Sequence, residues 1–344
     1  MSITPLAFPL DRPHGYEELR DEPVWDPARH LVPTVESENA ADQASDKTVK
    51  VEMLSDFGYT PEQIAACPSP VAVAGPFRLL SAQGVADAQA VLTRLRATAQ
   101  ADVGNRAPNY LAGGVYKSKF LRDMCYCPEL IRRMSRLMAT TLAPHTMPTQ
   151  QLYVNFAPED ISKAVDSWHV DSIDYDCVIL LEDPFSCEGG HFQYFRGTIN
   201  EAAELFGTTV DDLPTGFSRE LPAHRVVSVQ NQQPGDCVVQ QGARVIHRAE
   251  RLAKRAERTT MVISFVPASV AYQDNNNLAR LLQWDMPGTQ GELARHCAWR
   301  AQARLSELMN ELSVNAPTEE IAPRLQQAIA DVSRLLDLLS RKSP

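Results

Sequence analysis

The chain has 344 residues, 44 % hydrophobic and 22 % charged, the balance of an ordinary globular protein with a sizeable core. Its 33 basic and 43 acidic residues leave a formal charge of −10, which argues against a nucleic-acid backbone or an anionic membrane as main partner. No segment reaches the roughly 18 apolar residues of a membrane span. The first residues have neither the basic start nor the apolar run of a secretory signal. Seven cysteines are scattered without zinc-type pairs, and only Cys125 and Cys127 lie close together. Reduced thiols in a cytoplasmic protein are the expectation.

Residues 1–75 are rich in proline, acidic and small polar residues. They predict an N-terminal arm, mobile near 35–50 and wrapping the domain rather than forming its core. A short helix is expected at Thr60-Pro61-Glu62-Gln63, where threonine caps and proline suits the first turn. Residues 76–268 carry helices and then a β core. Val85, Ala88, Val91, Leu92 and Leu95 give residues 81–99 one apolar helical face, and a second helix is expected over 119–142.

From about 150 to 268 the apolar period drops to two. Strands are expected at 151–156, 177–181, 191–195, 225–229, 236–240, 245–248 and 259–266. Asp183-Pro184, Gly189-Gly190, Arg196-Gly197 and Pro234-Gly235-Asp236 mark turns. A small helix interrupts the run within 200–213. Seven or eight short strands predict a mainly β core with flanking helices, a sandwich or jelly roll. Residues 269–344 return to helix at 278–284, 292–312 and 318–339, packing on the core. The last helix is amphipathic, so a monomer and a homodimer both remain open.

Trp168-His169-Val170-Asp171 stands at the start of this β region. Residues two apart on a strand share a side, so His169 and Asp171 can present a nitrogen and an oxygen to one metal ion. His247, 76 residues beyond Asp171, falls on a strand able to supply the third ligand. Two imidazoles and one carboxylate on one face leave adjacent positions open, which suits iron(II). A structural zinc site more often uses thiolates and closes every position. His191 and His224 have weaker claims, and His14, His30, His145 and His296 read as surface or satisfied core residues.

Arg258 lies 11 residues after His247, and shares a strand face with Thr260. A guanidinium fork and a hydroxyl suit a carboxylate, and a buried arginine calls for an anion. The distal carboxylate of 2-oxoglutarate fits that need. Tyr153 and Asn155 share an inward polar face with Gln151 and are further cosubstrate-binding candidates. Gln193 and Trp168 are candidates for the pocket border, and Lys117, Lys119 and Arg106 for an anionic substrate group.

The order H-x-D, distal histidine and R-x-T, set among short strands, resembles the iron(II)/2-oxoglutarate-dependent dioxygenases over about 150–268. The preceding helices resemble its phytanoyl-CoA hydroxylase-like branch. There a glycine pair precedes a strand ending Pro-Gly-Ser-His, whereas this chain has Gly189-Gly190 and then Arg196-Gly197-Thr198. The resemblance implies a double-stranded β-helix of the cupin-like jelly-roll kind. It also implies Fe(II) as cofactor, 2-oxoglutarate and O2 as cosubstrates, succinate and CO2 as products, and hydroxylation of a small organic molecule. Desaturation, epoxidation and cyclisation belong to the same chemistry. Related halogenases replace the metal carboxylate by alanine or glycine, so Asp171 argues against halogenation. A peptide side-chain hydroxylase and a non-catalytic metal-binding cupin-like protein are the competing readings.

Overall fold

The structure, a computed structural model, describes residues 5–33, 49–100, 106–182, 188–230, 232–284 and 286–342. Among them the strands are β1 (Val51–Met53), β2 (Val71–Arg78), β3 (Tyr110–Leu111), β4 (Leu142–Pro144), β5 (Leu152–Phe156) and β6 (Ala164–His169). They continue with β7 (Tyr175–Leu180), β8 (Phe192–Phe195), β9 (Val226–Ser228), β10 (Asp236–Gln240), β11 (His247–Arg251) and β12 (Thr259–Pro267). The major sheet runs β1-β2-β10-β7-β12-β5-β3, with β4 also paired to β12, and the minor sheet runs β6-β11-β8-β9. From β5 to β12 the chain changes sheet at every step except β8 to β9. That alternation is a jelly roll, a β core with helices packed around it.

Strand parity decides which residues meet. On the major sheet Val154, Cys177, Ile179, Cys237, Val239, Met261 and Ile263 join one apolar core. That core includes Val85, Val91 and Leu92 of the helix Ala82–Leu95. The alternate residues, among them Tyr153, Asn155, Asp176, Gln240, Thr260 and Val262, therefore line the space between the sheets. Trp168, Phe195 and Ile246 of the minor sheet turn the other way, against Ala202 and Ala203 of the helix Ile199–Phe206.

Two expectations change. Residues 49–78 are more than an arm: β1 and β2 extend the major sheet, and Val71, Ala72, Val73 and Ala74 are buried there. Composition averaged over 75 residues concealed that short apolar run. The helix expected over 119–142 is two helices, Lys119–Cys125 and Pro128–Leu137, because Pro128 has no N–H to continue the first and instead opens the second. The Thr60 helix forms with its reciprocal cap to Gln63. The mobile stretch expected near 35–50 falls almost wholly outside the described residues, as does the Asp183-Pro184 turn. No helix among the described residues is long and apolar enough to cross a membrane.

The helices Leu278–Gln283, Thr289–Glu311 and Thr318–Lys342 pack on Met147 through Leu278, Leu281, Leu293 and Leu335. A buried polar network ties them to the barrel. His296 Nε2 lies 2.9 Å from Asp274 Oδ2, and Asn276 donates to both Asp274 (2.7 Å) and Asp174 (3.3 Å). The Asn277 N–H donates to Ser172 O at 3.1 Å. The C-terminal region thus grips residues 172–174, immediately after Asp171.

Candidate metal centre

β6 and β11 are neighbours with His169 opposite His247, and their rings lie 4.2 Å apart. His169 Nε2 is 3.3 Å from Asp171 Oδ1, and His247 Nε2 is 3.4 Å from Asp171 Oδ2. One ligand atom from each of the three residues lies within 4.8 Å of the others, and all three residues are buried. His169 Nδ1 is 2.6 Å from Ser167 O, and His247 Nδ1 is 2.8 Å from Val245 O. A carbonyl only accepts, so Nδ1 carries a hydrogen in both rings and each Nε2 faces the shared point.

Asp171 does not lie on the strand with His169. β6 ends at His169, and the Asp171 N–H donates to Gly242 O at 2.9 Å. That bond holds the carboxylate beside the turn leading into β11. Asp171 Oδ2 is buried, with His247 Nε2 3.4 Å away and the Asp176 carboxyl beside it. Burial alone would raise its pKa, but the facing histidines outweigh this and hold it well below the usual carboxylate range. A buried carboxylate between two Nε2 atoms calls for a cation, whether a ring proton or a metal ion. Burial, and then the Arg106 guanidinium, lowers the pKa of His169, favouring the neutral imidazole that binds metal.

Several groups around the triad escaped the sequence reading. Arg106, expected only as a basic residue near the pocket, is buried. Its Nε is 3.0 Å from Asp166 Oδ1, and its Nη1 is 3.9 Å from Asp171 Oδ1. Asp166 also lies 3.5 Å from His169 Nδ1 and accepts from Asn155 Nδ2 at 3.2 Å. Asp176 sits on the inner face of β7, where Gln240 donates to it at 3.2 Å. Burial, then the charge of Asp171, pushes its carboxyl well above the usual range. Gly242 makes this crowding possible, since a Cβ there would meet Asp176 Oδ2 at 2.2 Å and Asp171 Oδ2 at 2.7 Å.

Arg258 precedes β12 and is buried, with Nε donating to Gly190 O at 2.6 Å and Nη1 to Thr260 Oγ1 at 3.2 Å. Gly190 has φ +75°, and a Cβ there would meet Arg258 Cδ at 2.8 Å. The glycine pair therefore gives the arginine both its room and a carbonyl partner. Thr260 lies opposite Asn155, and Val262 opposite Tyr153. Burial, followed by the charges of Asp171 and Asp176, keeps the Tyr153 phenol protonated.

Other candidates fall elsewhere. Gln193 faces outward between Arg248 and Glu250, and the Arg248 guanidinium lies 4.4 Å over the outward-facing Trp168 ring. Both bonds and packing put them on the far side of the minor sheet from the pocket. His191 pairs with Glu250 at 2.6 Å rather than entering the barrel mouth. Lys117 donates to Thr98 at 2.9 Å, and the exposed Lys119 pairs with Asp123. Lys117 lines a cleft of about 860 Å³ with Tyr16, Trp284 and Met286. Trp284 also packs 5.7 Å from Tyr110, which lies 5.5 Å from Tyr153.

No protein-family model matches the chain, and no curated protein matches it. Solved structures do resemble it at low identity. The epimerase SnoN, in complex with Fe3+, alpha ketoglutarate and nogalamycin RO, is 20 % identical over 61 % of this chain and 83 % of its own, with a TM-score of 0.42. The non-heme alpha ketoglutarate dependent carbocyclase SnoK from nogalamycin biosynthesis is 15 % identical over 63 % and 86 %, with a TM-score of 0.41. HygX from Streptomyces hygroscopicus, with nickel and 2-oxoglutarate bound, is 16 % identical over 61 % and 87 %, with a TM-score of 0.37. Likeness at this level leaves the function to be read from the residues themselves.

Proposed function

We propose that the chain is a non-haem iron(II)- and 2-oxoglutarate-dependent oxygenase that hydroxylates, or otherwise oxidises, a small organic molecule. The observation that carries this reading is the buried His169–Asp171–His247 face sharing one barrel interior with the Arg258–Thr260 pair. Contacts connect the two: Thr260 opposes Asn155, Asn155 bonds Asp166, and Asp166 approaches His169. The donor set fits iron(II), with two imidazoles, one buried carboxylate and no thiolate.

His169, Asp171 and His247 would hold the metal from one side. Arg258 and Thr260 would take the distal carboxylate of 2-oxoglutarate, with Tyr153 and Asn155 bordering it on β5. When bound, iron would activate O2, the four electrons coming two from 2-oxoglutarate and two from a substrate C–H bond, with one oxygen atom leaving in succinate beside CO2 and the other going to the substrate. The residues of this chain would orient that pair, and burial beside Asp171 favours the protonated form of the Asp176 carboxyl. The cleft at Trp284 has a volume in the range of small-molecule sites, and Trp284 packs on the buried Tyr110, which packs in turn on Tyr153. This supports a small organic substrate over a peptide.

Anaerobic titration tests the reading. The apoprotein should bind one Fe(II), then one 2-oxoglutarate only when metal is present, with a visible charge-transfer band; admitting O2 should yield succinate. Failure to bind Fe(II), or 2-oxoglutarate binding indifferent to metal, would reject it. Gly242→Ala, whose methyl group displaces the Asp171 and Asp176 carboxylates, should weaken Fe(II) binding about 10- to 100-fold, as loss of outer support around a metal does. Calorimetric titration of the folded variant measures this.

A further inference from the structure

We propose that the C-terminal helical hairpin is the contact face of a homodimer, formed by two copies packing antiparallel along the helix Thr318–Lys342. One flank of the hairpin is closed by polar bonds within the chain. Arg304 Nη1 reaches Gln327 O at 3.1 Å and Asp331 at 2.9 Å, and Arg324 pairs with Glu311 at 2.8 Å. The other flank leaves apolar side chains in solvent: Met309 at 80 % exposure, Leu336 at 61 %, Ile329 at 46 % and Leu325 at 45 %. At about 100° per residue Leu325, Ile329 and Leu336 lie within about 40° of one another. They form a stripe beside the buried positions Ala328 and Leu335. Scattered exposed apolar residues need no explanation; a continuous stripe does.

Three features select a second copy of this chain as the occupant. The apolar positions 325, 329, 332 and 336, of which Val332 is half-buried against the chain's own C-terminal cluster, are symmetric about a point between 330 and 331, at the centre of the helix. A twofold axis there sets Leu325 against Leu336 of the second copy and Ile329 against its Val332. Each layer is then apolar on both sides, as an isologous contact requires. The outer border of the stripe, Ala322, Gln326, Ser333 and Ser340, carries no charge. No like charges therefore meet across the axis, despite a chain charge of −10. Finally, a helix of 25 residues is about 37 Å long, and the two-helix face is about 20 Å wide. The contact would cover roughly 1,400 Å² in total, within the range of stable specific interfaces.

Sedimentation velocity and light scattering of the full chain across micromolar concentrations test this. The expected species has twice the 38.1 kDa chain mass. Leu325→Glu and Ile329→Glu should each give monomers with unchanged circular dichroism, while Leu205→Glu, on a distant exposed helix, should leave the dimer intact. Leu325→Glu combined with Leu336→Lys should restore the dimer, because these positions face each other across the axis. A monomeric wild type, a dimer that survives Ile329→Glu, a double variant no better than Leu325→Glu alone, or monomers that instead bind lipid vesicles through this stripe would overturn the proposal.

Discussion

His247→Ala should lower Fe(II) affinity by more than about 100-fold while leaving the protein folded. Removing only an outer hydrogen-bond partner of a metal ligand costs about 10- to 100-fold, and this change removes a ligand itself. The ring is anchored through Nδ1 by Val245 O at 2.8 Å, which aims Nε2 at Asp171 3.4 Å away. Thermal unfolding gives an independent readout. Metal at about 100 times its dissociation constant stabilises a protein by about 2.7 kcal/mol through mass action. The wild type should show that gain with Fe(II), and the variant should not. A folded His247→Ala protein with unchanged metal affinity would dismiss the triad. Asp171→Ala supplies the companion case, since it removes the one anionic ligand and leaves two imidazoles 4.2 Å apart.

The cluster of His169, Asp171 and His247 was legible because His247 stands on a strand pairing directly with β6, although Asp171 lies just beyond the end of that strand rather than on it. The rule that residues two apart on a strand share a side hid the groups around it. Asp166 and His169 are three apart, an odd number that puts them on opposite faces of a regular strand. The pairing explains why both approach the centre: His247 faces His169, but Ala249 faces Asp166, so β6 spends one extra residue between them. That bulge reverses parity, and a pattern read from sequence cannot place it. Asp176 was hidden differently. It stands one residue before the apolar run that marked its strand, and its partner Gln240 is 64 residues away. Arg106 and the grip of Asn276 and Asn277 on residues 172–174 depend on contacts between segments far apart in the chain, for which no local pattern exists. The jelly roll itself was legible because turn residues punctuate its strands. The two strands within 49–78 were not, because a polar, proline-rich average surrounds them.

Arg258→Met should raise the KM for 2-oxoglutarate about 100-fold with a much smaller change in kcat at saturation. Charge-assisted hydrogen bonds to a buried ionic group contribute about 1.5–3 kcal/mol each, and loss of a two-point carboxylate contact therefore costs about 3 kcal/mol or more. Tenfold in affinity is about 1.4 kcal/mol. Arg258→Lys separates charge from shape. It keeps the positive charge but loses the planar fork that meets Gly190 O and Thr260 Oγ1, so a partial recovery of about tenfold over methionine is expected. Thr260→Val should fall between lysine and wild type, because it removes one hydroxyl and leaves the guanidinium in place. The Fe(II) affinity of all three variants, measured without 2-oxoglutarate, should match the wild type, since none touches a ligand of the metal. The ordering matters more than any single value. If Arg258→Met weakened metal and 2-oxoglutarate binding equally, the arginine would be supporting the barrel rather than the cosubstrate. A normal KM in that variant would place the distal carboxylate elsewhere, with Arg106 as the next buried guanidinium to test.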